Sequence, residues 1–299
     1  MFWSLIANGV AKAFATLLIA TALIYLIARL FPGDPITVLY GEQQPSEEVR
    51  KAIESRLGLD KPLYMQVLIY WKRIFTGDWG RSIFFAEPVT QVVFKSLLNS
   101  LKLSILATVI TTLVCIALAY LSMARDIALL PTAISTLSSS MPTSVWGVTI
   151  MAVLALTKKP VGFGGIGLPL TTLVVAGTGV FYKILQSLLE KAYSEPFIGA
   201  YIALGMTRNR IFLKALRYVL PIYLTTVFYR AGLIIAGAMA TEAIFAYPGM
   251  GLLLLQAFSS RDYPVLIGWA ATVSIILATL NMVSDILHIY MDPRLRGSS

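Results

Sequence analysis

LSILATVITTLVCIALAYLSMA, residues 103–124, holds no charged side chain. A helix rises about 1.5 Å per residue and the hydrocarbon core of a bilayer is roughly 30 Å thick, so about 20 such residues cross it. The run therefore reads as a transmembrane helix, and the pattern repeats on both sides of it. Residues 127–157, 160–182 and 263–284 are also uncharged. Residues 10–30 carry only Lys12 and Arg29 near their ends, and residues 220–246 contain Arg230 and Glu242. These six spans predict an all-α integral membrane protein. Composition agrees: of 299 residues 57% are hydrophobic and 13% charged, with a mean hydropathy of +0.77, more apolar surface than a soluble fold of this length buries.

Several classes are excluded. Cys115 is the single cysteine and lies inside a span, and His288 is the single histidine, so neither a disulfide framework nor a metal site is expected. The chain has no GKS or GKT phosphate loop, so it does not hydrolyse ATP itself. It also lacks a supported serine–histidine pair and paired carboxylates, and it reads as no enzyme. The net charge of +9 is explained by loop lysines and arginines held against anionic headgroups, not by nucleic acid. The first segment is too long for a signal peptide and runs into FPGDP at 31–35 without a small-residue cleavage site, so it reads as a retained anchor.

The positive-inside rule orients the bundle. With the N-terminus inside, the inner segments hold Lys12, Arg125, Lys183, Lys191, Arg208, Arg210, Lys214, Arg217, Arg294 and Arg296. The short outer loops hold only Lys158, Lys159 and Arg261. Both termini are therefore expected in the cytoplasm. Three parts follow: an N-terminal transmembrane helix (1–30), an extracytoplasmic helical insertion (31–100), and a five-helix transmembrane core (101–299) with a cytoplasmic loop over 190–219.

The insertion is charge-balanced. Ser46 is placed to cap a helix that ends at Gly58, with Val49, Ile53 and Leu57 as its apolar face. A second helix follows Asp60, with Pro62 in its first turn and Leu63, Val67, Tyr70 and Ile74 on one face. The insertion is too small for a core of its own and is expected to lie on the mouth of the bundle or on a partner.

The loop contains EPFIGAYIALGMTRNRIFLKALRYVLP, residues 195–221. Phe197, Tyr201 and Leu204 are spaced i, i+4, i+7, and Gly205 ends that helix. Thr207 can cap the next, in which Ile211, Ala215 and Val219 share one face and Arg210, Lys214 and Arg217 another. Such a hairpin either rests on headgroups or inserts its apolar side into a partner.

Within the spans, Arg230 is expected to face protein or water, because an arginine at the membrane centre costs about 2.5–3.5 kcal/mol on insertion scales. It is either a pathway cation, half of a structural ion pair, or a snorkelling side chain. Glu242 reads as a hydrogen-bonded structural residue near the outer end of its span. Ser138, Ser139 and Ser140 followed by Pro142 read as a kink whose serines satisfy freed carbonyls, or as a hinge beside a pathway. Gly162, Gly164 and Gly165, after Lys158 and Lys159, read as a mobile outer loop with no site.

Seven segments in order carry a family resemblance: FPGDP (31–35), GLDKPLYMQ (58–66), GDWGRS (77–82), SMPTSVWGV (140–148), EAIFAYPGMG (242–251), RDYPVL (261–266) and MDPRLR (291–296). The chain thereby resembles the dipeptide/oligopeptide permeases of binding-protein-dependent ABC importers, in their first-subunit branch. The resemblance implies an all-α permease in the prokaryotic plasma (inner) membrane. Its partners would be a second homologous permease, two ABC ATPases and an extracytoplasmic substrate-binding protein. ATP and magnesium would be used by the ATPases, and this chain would bind no cofactor. Ala203 and Gly205 stand in place of the characteristic alanine and glycine of the ATPase-coupling loop, which would comprise Phe197, Tyr201, Ala203, Leu204, Gly205, Met206 and Thr207. Candidate pathway residues are Arg230, Glu242, Ser140 and Pro142. The implied cargo is a peptide or a similar oligomeric nutrient, the alternatives within the family being oligosaccharides and metal chelates. The rival from another class is a stand-alone secondary transporter. It needs ion ligands at mid-membrane and inverted repeats, whereas these spans hold almost no acidic residues and no internal symmetry shows.

Overall fold

The computed structural model describes residues 2–30, 35–40, 45–156, 162–229 and 231–291. In chain order the helices are α1 (Phe2–Leu30), α2 (Pro35–Tyr40), α3 (Glu47–Leu57), α4 (Leu63–Thr76), α5 (Val89–Met123), α6 (Leu129–Ser139) and α7 (Thr143–Leu156). There follow α8 (Gly167–Tyr193), α9 (Pro196–Ala203), α10 (Arg208–Tyr229), α11 (Ala231–Ile244), α12 (Met250–Ser259) and α13 (Tyr263–Met291). Among the described residues five helices are long and apolar enough to cross a bilayer, and the α6–α7 pair makes a sixth if it counts as one span. The chain divides into two compact units, residues 1–99 with 248–299, and residues 100–247.

In the first unit α1 packs along α13, and α4 lies against both. α3 starts and stops as its sequence dictates. Ser46 Oγ accepts from Val49 N (3.5 Å), and Gly58 closes the helix at φ +72°, donating to Ser55 O while Leu59 N reaches Glu54 O. The expected apolar faces of α3 and α4 are corrected: Val49 and Leu63 are exposed, and the buried side of α4 is Gln66 and Tyr70. The reason is that the partner surface is itself polar and aromatic. The Tyr25 hydroxyl donates to Gln66 Oε1, Gln66 Nε2 donates to the Leu59 and Lys61 carbonyls, and Trp71 Nε1 donates to Thr21 Oγ1. Tyr25 packs between Tyr70, tilted at 51°, and Tyr263, edge-on at 73°, and the Arg29 guanidinium lies 5.5 Å over the Tyr263 ring. Among the sequence expectations neither α2 nor α12 had a place; both are short.

In the second unit α8 is the hub, touched by α6, α7, α9, α10 and α11. Three expected spans are corrected here. Residues 127–157 do not form one kinked helix: α6 and α7 meet at 103°, because Pro142 cannot donate the bond that would join them. Residues 160–182 give way to a helix that starts at Gly167 and runs on to Tyr193, carrying Lys183 within it. The fifth span begins earlier than residue 220, since α10 is helical from Arg208 straight through Pro221. In the loop at 162–165, Gly164, at φ +79°, donates to Phe245 O at 3.0 Å. Lys158 and Lys159 lie outside the described residues, as do residues 31–34 and 292–296 of the first and last motifs.

Candidate functional site

The hairpin α9–α10 is built from its apolar spacing. Pro196 opens α9 at its first position, where the missing N–H costs nothing. The helix ends in a Schellman motif: Gly205 N donates to Ile202 O (2.9 Å) and Met206 N to Tyr201 O (3.1 Å), with Gly205 at φ +70°. α10 then starts, with Thr207 O accepting from Ile211 N at 3.1 Å. Its apolar face is the one expected: Ile211, Ala215 and Val219 are buried, joined by Phe212 and Tyr223 in a core with Ile198, Leu185, Leu189 and Cys115. Arg210, Lys214 and Arg217 are exposed.

The expected trio Phe197, Tyr201 and Leu204 does not stay on one face. Phe197 and Tyr201 are half-buried, Phe197 against the Tyr218 ring at 5.1 Å and Tyr201 under the Lys214 ammonium at 5.8 Å. Leu204 is turned outward and 77% exposed, beside Ile202 at 60%. The Schellman turn accounts for the split, since the last residues of α9 leave the helical register. Met206 is half-buried, whereas Ala203, Gly205 and Thr207 are exposed. The turn thus presents a small apolar tip on a rigid base.

The base is braced at the α5–α6 connection. The Tyr120 hydroxyl donates to Asn209 Oδ1 (3.2 Å) and accepts from Arg125 Nε (3.1 Å), and Arg208 pairs with Asp126 at 3.2 Å. The ion pair is exposed and contributes at most about 1 kcal/mol; the tyrosine bonds set the orientation.

Of the expected pathway residues, Ser140 and Pro142 are exposed at the α6–α7 break. Ser139 Oγ donates to Thr136 O (3.2 Å), Ser140 Oγ to Leu137 O (2.7 Å), and Trp146 Nε1 to Ser138 O (3.0 Å), so three of the carbonyls at the end of α6 are met locally. Glu242 is wholly buried in α11, and its backbone carbonyl accepts from Tyr247 N at 2.9 Å. Arg230 lies outside the described residues.

Sequence reasoning missed Asp262. Its carboxylate is fully buried and gathers the loop at residues 80–88: it accepts from Ser82 Oγ (2.5 Å), Phe84 N (3.1 Å) and Val265 N (3.3 Å). Burial pushes this carboxyl above the usual range, while the Ser82 hydroxyl and the backbone donors of Phe84, Val265 and Ile83 pull it down. GDWGRS and RDYPVL, far apart in the chain, are therefore two halves of one joint; an aspartate just ahead of a predicted helix was the available signal. Gly179 was missed as well. A Cβ there would stand 2.5 Å from Ser139 N and 2.7 Å from Ser135 O, so α8 touches the α6 backbone directly.

A protein-family model described as "Binding-protein-dependent transport system inner membrane component" matches residues 128–297. Its N-terminal companion, "Binding-prot-dependent transport system membrane comp, N-term", matches residues 1–113. The chain belongs to this family. It is the multi-pass inner-membrane component of such a transport system, a permease subunit with no catalytic function of its own. That identity sets the stand-alone secondary transporter aside. Among relatives of this permease is a protein of Brucella suis biovar 1, 30% identical over 97% of this chain and 98% of its own length. "Di/tripeptide transport system permease protein DppB" of Pseudomonas aeruginosa is 28% identical over 98% of both chains. "Dipeptide transport system permease protein DppB" of Escherichia coli strain K12 is 27% identical, over 92% of this permease and 94% of that protein.

Proposed function

We propose that the chain is one of two permease subunits of a peptide importer and that the α9–α10 hairpin is the surface through which ATPase subunits drive it. One observation carries this: the exposed Ile202–Leu204 tip sits on a base continuous with the core around α8 and with α10, a single helix from Arg208 to Tyr229. A force on the tip moves α10 as a unit, since packed helices shift as bodies rather than deform. The peptide cargo follows from the relatives' substrates and from their near-complete coverage of this chain. ATP and magnesium belong to the ATPases, a second permease completes the pathway, and an extracytoplasmic binding protein delivers the cargo. The basic loops support a cytoplasmic hairpin with both termini on the same side.

The test is the pair Leu204→Asp and Gly205→Pro in the assembled transporter. Leu204→Asp places a charge on the apolar tip, and Gly205→Pro forbids φ +70° and removes the bond to Ile202 O. Both variants are expected at normal levels in the membrane, with ATP hydrolysis no longer stimulated by loaded binding protein. Full stimulation in both refutes the docking reading.

A further inference from the structure

The second unit contains an open cleft of about 170 Å³ lined by Thr108, Thr111, Thr143, Gly177 and Gly237 with apolar neighbours from α5 and α8. It lies halfway along three helices, since Thr108 is central in α5, Gly177 in α8 and Gly237 in α11. A single water needs only about 10–15 Å³ of such space, so the cleft admits a ligand group as well as solvent. Three features give it a chemistry.

First, the amino end of α7 opens on it through Thr143. The first bonds of α7 run from Val145 and Trp146 to Pro142 O (3.0 and 3.2 Å), so the N–H groups of Thr143 and Ser144 lie ahead of the ladder. A 14-residue helix carries partial positive charge at that end and attracts an anion. Second, Thr111 is 3% exposed and lines the cleft. Among the described residues its hydroxyl has no hydrogen-bond partner, unlike Thr108, whose Oγ1 donates to Ser104 O at 2.7 Å. A hydroxyl that lines a cleft and makes no bond within the fold is available to a ligand or water there. Third, the room exists because glycine replaces a side chain. A Cβ on Gly177 would lie 3.3 Å from Thr111 Cγ2, and one on Gly237 would lie 3.4 Å from Thr143 Oγ1. Among the described residues no lining residue is charged, so the helix end and the threonine hydroxyls are the polar groups they supply to the cleft. Lys183, one turn beyond Val180 on α8, is held by Ser139 Oγ at 2.9 Å.

We infer that this cleft is a subsite for the carboxylate of a short peptide in transit, held by the amino end of α7 and the hydroxyls of Thr143 and Thr111. The inference rests on the peptide-permease reading and adds the group that the broken helix recognises. The break at Pro142 then has a use: it brings a helix terminus to mid-span, where an anion would otherwise be unsolvated.

The complete transporter in proteoliposomes tests it, with dialanine and its C-terminal amide as probes. Thr111→Val keeps the shape of the side chain and is expected to lower dialanine uptake about fivefold, the loss of one hydrogen bond, with stimulation of ATP hydrolysis by loaded binding protein retained. Uptake of the amide changes less. A second arm does not depend on peptide uptake. Ala176→Cys adds one thiol to the cleft in a chain whose native Cys115 is buried. A small anionic methanethiosulfonate is expected to outpace its cationic counterpart by about threefold relative to free cysteine, as a helix amino end favours anions. Dialanine should slow the reaction and its amide should not. Wild-type uptake at Thr111→Val, no labelling of Ala176→Cys, or preference for the cationic reagent overturns the subsite. Absence of dialanine uptake by the wild type, with the labelling pattern intact, refutes the peptide reading instead.

Discussion

Asp262 shows what one side chain can organise. The Oδ2 atom accepts from Ser82 and Phe84 and the Oδ1 atom from Val265, so a loop is fastened to the start of α13 by a carboxylate. Asp262→Asn puts an amide NH₂ where a donor already points. The expected cost is about 1–3 kcal/mol, with Ser82→Ala costing less, near 1 kcal/mol; thermal unfolding in detergent and protease cleavage within 80–88 measure both. The pH dependence has a definite sign. The folded-state carboxyl titrates above its unfolded value, so its contribution is fully present at acid pH, below about pH 4, and is lost as pH rises through the folded value. Asp262→Asn removes that slope from the melting curve. Gly205 illustrates a different constraint. Nothing lies within 4 Å of a Cβ there, yet φ is +70°, so glycine is required by the backbone and not by crowding.

At the scale of elements, the α6–α8 contact controls the broken span. α6 has lost the continuation that would have made it a membrane-crossing helix, and it is held instead by close approach to α8 at Gly179. Such backbone-to-backbone packing through a small residue is how helices associate where no hydrophobic force separates them from lipid. Gly179→Ala would drive a methyl against Ser139 N and Ser135 O, and neither backbone atom can step aside. The expected loss is about 1–3 kcal/mol with displacement of α6, read as a lowered melting temperature of the purified complex. Gly199→Ala, where a Cβ meets nothing within 4 Å, is the matched control and should be neutral or slightly stabilising. The hairpin is the opposite kind of element. Its inner face is legible as the i, i+4, i+8 repeat Ile211, Ala215, Val219, and its outer tip exists only because a Schellman turn swings Leu204 away from Phe197 and Tyr201.

For the whole molecule, orientation is the property still open to a direct test. Phe84→Cys and Leu204→Cys replace exposed residues (55% and 77%) in different loops, against a native Cys115 that is fully buried. A membrane-impermeant maleimide should modify Phe84→Cys on intact cells and Leu204→Cys only in inside-out vesicles; the reverse pattern inverts the topology. Much of this protein was legible in its chain. Uncharged runs such as 103–124 determined the membrane class, because a bilayer accepts nothing else at that length. Ser46, Gly58 and Gly205 marked helix ends, because capping is a local event settled within a few residues. The tertiary structure decided what depends on neighbours: that Gln66 and not Leu63 faces inward, that Ser82 meets Asp262, that Pro142 separates two helices by 103° instead of kinking one. Periodicity reports which side of a helix is apolar but not what that side will meet, and in a membrane, where apolar surface may face lipid at no cost, the buried side is chosen by hydrogen bonds and close packing that only the assembled fold supplies.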